Sequence, residues 1–400
     1  MKYLGRLMGA IGLGALAALT FAQVSVSAPK PSAGQPAKRD LAVLELKGSG
    51  YERGLQHGRR LKADIARIVD LWKNDLRGQS ALDPDVLIKR FLAETNFIPA
   101  IKKWTPDILE EVRGLADGAG QPFETMFAFQ LVDEIWVFLD AKAAHHCSGL
   151  GVARGGGHPA FIAQNMDLES FRDGFQAVLH IAGDATRPEQ YVFTSAGLVG
   201  VNGVNDRSVA VACNTLLQLS ASTDGLPVAF VVRGVLASAS GDEALKFVRG
   251  VRHASGQNYI IGAGDRVYDL EASAGKVVEF KPFPDGRLVY HTNHPLINDD
   301  LKPWALMDEL SLANTKTRLA AVRDRLGSDA AAVDEDAIRA ILRSKDSPRH
   351  PVCRTLRTGS SAFTFGATIM TLSGTPALDV TMGPPDTNAF VHLGFGGKNS

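Results

Sequence analysis

Apolar residues take up helical spacing just after the first forty positions. From Gly48, the residues Tyr51, Leu55, Gly58, Leu61, Ile65 and Ile68 recur at three- and four-residue intervals. A second helix is expected to start at Asp83-Pro84, a capping residue followed by proline in the first turn. A third starts at Thr105-Pro106, carries Ile108, Leu109, Val112, Leu115 and Ala116 on one face, and stops at Gly118 and Gly120. Phe123 to Phe138 reads as a further apolar helix, so residues 48–140 are expected to be mainly helical. The period shortens at Cys147. Strand-like runs occupy 160–165, 176–182, 190–195 and 208–213, with glycine and asparagine turns between them. Two helices are expected over 228–239 and 242–251, then strands over 257–262, 266–271, 276–281 and 288–293. Helices over 315–326 and 334–343, the latter capped by Asp334, precede strands at 362–372, 377–382 and 389–394. Strand blocks separated by paired helices favour a layered α+β domain with largely antiparallel sheets.

The change of period coincides with the stretch richest in chemistry. Ala144-His145-His146-Cys147-Ser148-Gly149 is followed at close range by Gln164-Asn165-Met166-Asp167, and Arg154-Gly155-Gly156-Gly157-His158-Pro159 between them can only turn. Folded there as an antiparallel hairpin, residues pair when their numbers sum to about 312 to 314. Cys147 then faces Asn165 to Asp167. Local strand pairing alone brings a thiol to a carboxylate.

Composition narrows the setting. The chain has 400 residues, 45% hydrophobic and 22% charged, with 43 basic and 43 acidic side chains, so nothing suggests a nucleic-acid surface or a polybasic membrane patch. Lys2 and Arg6 precede an apolar run from Leu7 to Ala22, and Thr20-Phe21-Ala22 and Val26-Ser27-Ala28 both suit signal cleavage. The run is shorter than a membrane span, so export to the periplasm or beyond is expected, with no stable span after signal removal. The expected division is a signal peptide at 1–28, a linker at 29–39, a mainly helical pro-segment or small subunit at 40–146, and the catalytic domain at 147–400. Three cysteines cannot all pair within one chain. A bridge between Cys213 and Cys353 would leave Cys147 as a reactive thiol; three reduced, buried cysteines are the other option.

A cut before Cys147 would give one residue both a thiol and an α-amine of pKa about 7.7–8.0, hence nucleophile and base together. At these residues the chain resembles the acyl-coenzyme A:6-aminopenicillanic acid acyltransferase family of N-terminal nucleophile (Ntn) hydrolases. It is similar, more distantly, to penicillin V acylase and bile salt hydrolase. The resemblance rests on Gly48-Ser49-Gly50-Tyr51-Glu52-Arg53-Gly54 with Gly58, and on Leu109-Glu110-Glu111-Val112-Arg113-Gly114-Leu115-Ala116-Asp117-Gly118. It continues through Cys147, Gln164 to Asp167, Gly200-Val201-Asn202, Asn214-Thr215-Leu216, Thr292-Asn293-His294 and Arg318. The resemblance implies a four-layer αββα sandwich and a precursor that cuts itself between His146 and Cys147. It also implies Cys147 as nucleophile, Asp167 holding its α-amine, Asn293 donating to the oxyanion, Asn214 beside it as second donor or positioning group, and Arg318 orienting the site. The substrate it implies is a small-molecule N-acyl amide. Gln164 stands where the bile salt hydrolase relatives place an arginine, as in the acyltransferase branch.

Each residue also has a plainer role open to it. Asp167 could cap a turn, Asn293 beside Pro295 could make an Asx-turn, Asn214 could end a strand, and Arg318 could be a solvated helix charge. Asn165 is expected to be structural, bonding across the hairpin. His145, His146 and Cys147, or His291 and His294, fit a tetrahedral ion poorly, so neither metal nor cofactor is expected. Two rival functions remain: a papain-like cysteine hydrolase pairing Cys147 with His294, without self-cleavage, and a non-catalytic envelope binding protein on the same fold.

Overall fold

The computed structural model describes residues 40–140, 146–303 and 307–396. Strand β1 (Ala42–Leu46) leads into helices α1 (Gly50–Arg60), α2 (Lys62–Gln79), α3 (Pro84–Glu94), α4 (Ile98–Trp104), α5 (Pro106–Ala119), α6 (Phe123–Phe129) and α7 (Val132–Phe138). After Cys147 come β2 (Ser148–Val152), β3 (Phe161–Glu169), β4 (Gln176–Ile181), β5 (Gln190–Ser195), β6 (Asn202–Asn205) and β7 (Val209–Thr215). Helices α8 (Val228–Leu236) and α9 (Gly241–Gly250) precede β8 (Gln257–Ala263), β9 (Arg266–Ala272), β10 (Val277–Glu279) and β11 (Leu288–His291). The chain closes with α10 (Glu309–Leu326), α11 (Glu335–Leu342), β12 (Ala362–Thr371), β13 (Ala377–Val380) and β14 (Val391–Gly394). Among the described residues no helix is long and apolar enough to cross a membrane. The expected signal segment lies outside the described residues.

The strands form two sheets: eight strands in the order β1-β4-β5-β6-β7-β8-β9-β10, and six in the order β11-β2-β3-β12-β13-β14. Three apolar cores stack them into four layers. Val178, Phe193, Ala212 and Ile260 from the first sheet meet Ile162, Phe363, Met370 and Leu378 from the second. The opposite face of the eight-stranded sheet, with Leu179, Val192, Val211 and Ile261, packs under α2 to α9. The opposite face of the six-stranded sheet, with Val152, Phe161, Ala163 and Ile369, packs under Val322, Ile338 and Ile341 of α10 and α11. Both sheets are therefore buried on both faces, which is why their strands read as apolar runs rather than clean alternations. The αββα sandwich expected from the sequence is the fold observed.

Glycines set the approach of α1 to α5. A Cβ on Gly54 would lie 1.9 Å from the Glu111 carbonyl oxygen, and one on Gly114 would lie 1.9 Å from that of Tyr51. Only hydrogen fits between the two backbones. This contact seats a buried ion cluster. Arg53 Nε donates to Glu111 Oε2 at 3.0 Å, and Arg233 Nη1 donates to Glu111 Oε1 at 2.6 Å. Burial alone would push the Glu111 carboxyl up, but Arg233 and Arg53 hold it below its ordinary value. The two glycine-rich stretches near residues 50 and 114 are thus a helix-crossing device.

Two strands lie outside the elements expected from the pattern. β1 runs parallel to β4, pairing Ala42 with Ala177 and Leu46 with Ile181. β6, with the sequence Asn-Gly-Val-Asn, reads as a turn yet pairs with both β5 and β7. The segment upstream of Cys147 therefore supplies an edge strand of the larger sheet and most of the helical layer over it. The expected 288–293 strand ends at His291, and Thr292 and Asn293 leave the sheet at the site described next.

Candidate active site

The β2–β3 hairpin has the expected register, with Ser148 opposite Asn165 and Val152 opposite Phe161. One step further, Cys147 falls across from Met166. Its Sγ lies 3.3 Å from Met166 Sδ and 3.7 Å from the Asp167 carbonyl oxygen. The thiol is 4% exposed, and burial, with the Asp167 charge adding to it, pushes it up to about 12. In the uncut chain this sulfur is a neutral thiol.

Asp167 is buried beside it. Thr364 Oγ1 donates to Asp167 Oδ1 at 2.7 Å. Oδ2 lies 3.4 Å from Arg354 Nε, an ion pair without hydrogen-bond geometry, and accepts no hydrogen bond from the described residues. Burial raises the carboxyl to about 6 despite Arg354 and the Thr364 hydroxyl. The folded chain thus holds this proton more tightly than the unfolded chain, whose carboxyl keeps its ordinary 3.8. The group's stabilising contribution is complete below the ordinary value and is lost as pH rises through the folded one. In a Cys147→Ala background, Asp167→Asn is expected to gain stability over its parent between about pH 4 and 7, on the order of 3 kcal/mol. Thermal melts across that range check it; a difference that does not change with pH would refute the assignment.

Arg318, on α10, ties the other components together, and it is fully buried rather than solvated. Nη1 donates to the Cys147 carbonyl oxygen at 2.6 Å and to Ser148 Oγ at 3.0 Å. Nη2 donates to Asn293 Oδ1 at 3.0 Å, and Nε donates to Asn314 Oδ1 at 2.9 Å. Burial lowers the guanidinium to about 10, still charged at neutral pH. Because Oδ1 of Asn293 accepts from Arg318, its Nδ2 must face the other way, where it donates to the Thr215 carbonyl at 3.2 Å. Thr292 and Thr315 fix the backbone there, with Thr315 Oγ1 accepting from Asn293 N at 2.8 Å.

Asn214 sits differently. Ala210 and Ala212 of β7 point between the sheets, so Asn214 does too, and it is fully buried. Its Nδ2 donates to Asn258 Oδ1 at 2.7 Å, and its Oδ1 accepts from Gln164 Nε2 at 3.3 Å. Asn202 Nδ2 donates to Gln164 Oε1, and Asn258 Nδ2 donates to Asp269 Oδ1. This polar chain occupies both ends of the Asn214 amide. The alternate residues Cys213 and Thr215 face the helical layer, where they line a cavity of about 80 Å³ shared with Cys147. Its walls are largely apolar: Val132, Trp136, Met166, Leu168, Leu198, Val201, Val228 and Val232, with Gln130, Asp133, Glu169 and Arg172 as polar groups.

The structure brings Cys147, Asp167, Asn293 and Arg318 into one neighbourhood with Ser148, and commits the nearby Asn214 amide to Asn258 and Gln164. His146 is buried, with Nδ1 3.1 Å from Asn314 Oδ1; His145 lies outside the described residues. Asn165 is structural as expected, but its side chain does not bond across the hairpin; its Nδ2 donates to the carbonyls of Leu342 and Val352, tying β3 to the end of α11. His294 contacts Thr315 Oγ1 at 3.0 Å and is not a partner of the Cys147 sulfur. All three cysteines are free. The optional Cys213–Cys353 bridge fails because Cys213 faces the helices over the larger sheet, whereas Cys353 follows Val352 in the core over the smaller sheet and contacts Asp386. Arg354, Thr364 and the α7 residues Asp133 and Trp136 join the site without any motif that marks them. Among the described residues, no three His, Cys, Asp or Glu side chains are grouped to hold a metal ion.

The family model for acyl-coenzyme A:6-aminopenicillanic acid acyl-transferase matches residues 153–377, more than half of the 400-residue chain. Among solved structures, the chain is similar to a mutant conjugated bile acid hydrolase from Clostridium perfringens, at 14% identity and a TM-score of 0.44, over 63% of this chain and 93% of that one. It is similar to a Caenorhabditis elegans ortholog of N-acylethanolamine-hydrolyzing acid amidase, at 16% identity and a TM-score of 0.38, over 56% and 92%. A third, penicillin V acylase from Agrobacterium tumefaciens, matches at 12% identity and a TM-score of 0.39, over 62% and 86%.

Proposed function

The chain belongs to the acyl-coenzyme A:6-aminopenicillanic acid acyl-transferase family, and from that premise we propose that it is a self-processing amidohydrolase or acyltransferase with Cys147 as nucleophile. The observation that carries the reading is Asp167, whose backbone carbonyl oxygen lies 3.7 Å from Cys147 Sγ and whose buried Oδ2 accepts no hydrogen bond from the described residues. An α-ammonium created at Cys147 would supply the missing donor.

In the first phase, Cys147 Sγ attacks the His146 carbonyl carbon and its proton passes to the departing amide nitrogen. The C–N bond breaks and a thioester forms. Water then cleaves the thioester, releasing a His146 carboxylate and a Cys147 that carries thiol and α-amine. In the second phase, that α-amine takes the thiol proton, which the uncut chain holds up to a pKa of about 12. The thiolate attacks an amide carbonyl, and Asn293 Nδ2, which spends one N–H on the Thr215 carbonyl, donates its second to the developing oxyanion. Arg318 holds the Cys147 carbonyl and the Asn293 amide in register, so the donor is aimed before reaction begins. The amine leaves protonated, and water or an acceptor amine removes the acyl group.

The apolar walls of the Cys147 cavity favour an apolar acyl group. The charged and apolar run at residues 2–22 favours export, where acyl-coenzyme A is scarce, and therefore hydrolysis over transfer. Intact mass and N-terminal sequencing of purified protein should give two polypeptides, the larger starting at Cys147, and the mature protein should consume acyl amides. A single uncut chain that still turns over would favour the papain-like rival; consumption of acyl-coenzyme A alone would overturn the hydrolase reading.

A further inference from the structure

A buried ion pair lies directly behind Asn293 and takes no part in the chemistry assigned above. On β11, Val289 points between the sheets, so His291 two positions on points there too. On β9, Val267 faces the same space, and so does Glu271. Neither side chain of the pair has exposed surface. His291 Nε2 lies 2.9 Å from Glu271 Oε1, and its Nδ1 lies 2.9 Å from the Thr292 carbonyl oxygen. A carbonyl can only accept. Both oxygens of Glu271 are taken by other donors as well: Leu296 N at Oε1, and Ile297 N and Asn298 N at Oε2, at 3.2 and 2.7 Å. With an acceptor at each end of the ring, both nitrogens of His291 carry a proton, and the imidazole is a cation. Burial alone would push His291 down, but the Asp269 charge and the Glu271 hydrogen bond hold it above its ordinary value. Burial would likewise push Glu271 up, and His291 holds it below.

The place where this cation bonds is specific. The Thr292 carbonyl and the Asn293 N–H belong to one planar peptide group, with their polar atoms on opposite sides. His291 holds the carbonyl, and Thr315 Oγ1 holds the other side by accepting from Asn293 N at 2.8 Å. A peptide group gripped on both sides cannot rotate. Glu271 fixes the same loop further on through the three backbone donors of residues 296–298, and its own carbonyl accepts from Asn298 Nδ2 at 3.1 Å. The Asn293 side chain therefore leaves a backbone that is pinned before it and after it.

We propose that His291, kept as a cation by Glu271, is a positioning residue for the reaction: its Nδ1–H grips the Thr292 carbonyl and so aims Asn293 Nδ2 at the oxyanion. The inference rests on the role proposed for Asn293 above.

Two substitutions divide the two bonds of the ring. His291→Asn puts an amide nitrogen where Nδ1 stood and keeps a donor for the Thr292 carbonyl; His291→Gln puts one where Nε2 stood and keeps the bond to Glu271. The purified mature protein and its variants are assayed on a series of straight-chain acyl para-nitroanilides. His291→Gln should lower kcat about tenfold with KM unchanged, whereas His291→Asn should stay within about threefold of the parent. His291→Asn should nevertheless melt at the lower temperature of the two, because it gives up the bond to the charged partner. A histidine that served the fold alone would rank the variants the same way in activity and in melting. Asn293→Ala should lose about a hundredfold or more in kcat. If Asn293→Ala is impaired while His291→Gln matches the parent or exceeds His291→Asn, the inference falls and the reading of the site stands. If Asn293→Ala is unimpaired, or the parent consumes no anilide, the reading falls and the inference with it. Neutron diffraction from the parent decides if either histidine variant does not fold: deuterium is expected on both ring nitrogens of His291 at neutral pH, and a bare nitrogen would overturn the proposal.

Discussion

Replacing Cys147 by alanine is expected to leave the chain as one polypeptide and to lower amide turnover by about four orders of magnitude or more. In the proposed mechanism the thiol is both the attacking atom in the cut and the acyl carrier in turnover, so no neighbour can stand in for it. His294 is engaged with Thr315, and the other free thiol of the cavity, Cys213, lies within a strand and cannot become a chain start at the same bond. The substitution removes one buried sulfur and leaves the Arg318 contact to the carbonyl of residue 147, because that contact is made by the backbone. The folded state should therefore lose only about 1 kcal/mol. Mass spectrometry and a melting curve read both quantities. Processing into two chains in the alanine variant would remove Cys147 from the first phase, and turnover surviving in it would remove Cys147 from the second.

The largest expected loss of stability lies far from the thiol. Gly54→Ala would place a methyl carbon 1.9 Å from the Glu111 carbonyl oxygen, against backbone that has no rotamer to change. The helices must separate, and the ion cluster of Arg53, Glu111 and Arg233 opens with them. A cost of about 3 kcal/mol or more is expected. Gly78, near the end of α2, has open space where a Cβ would sit, with no neighbouring atom within 4 Å. Gly78→Ala should instead stabilise by up to about 1 kcal/mol. Denaturant midpoints of the pair separate packing from helix propensity. Similar midpoints would show that the α1–α5 crossing can relax.

What sequence makes legible here is local. The β2–β3 hairpin follows from a glycine turn and strand alternation, and with it the meeting of Cys147 and Asp167. The helices announce themselves through caps such as Asp83 and Asp334, whose side chains accept from Asp85 N and Ala337 N. Arg354 is invisible to that approach. It lies outside any helix or strand, and only the pairing of β12 with β3 brings Thr364, and the Arg354 backbone bonded to it, to Asp167. β1 escapes for a similar reason, since a short parallel edge strand is specified by a partner far downstream. Cys213 is misleading when read by counting cysteines, and its strand alternation carries the information instead. The α7 wall of the cavity depends on tertiary packing, which no periodicity in Val132 to Phe138 encodes.

The edge strand β1 gives maturation an asymmetric character. A cut at residue 146 would sever one covalent link yet leave β1 hydrogen-bonded to β4 and the upstream helices sharing a core with the downstream sheet. The two fragments would stay together as long as the fold persists. Once melted they would be separate molecules, and reassembly would depend on their meeting by diffusion. A protein matured in this way would therefore endure through slow unfolding rather than ready refolding: it would be assembled as one chain, with a lifetime set by kinetics.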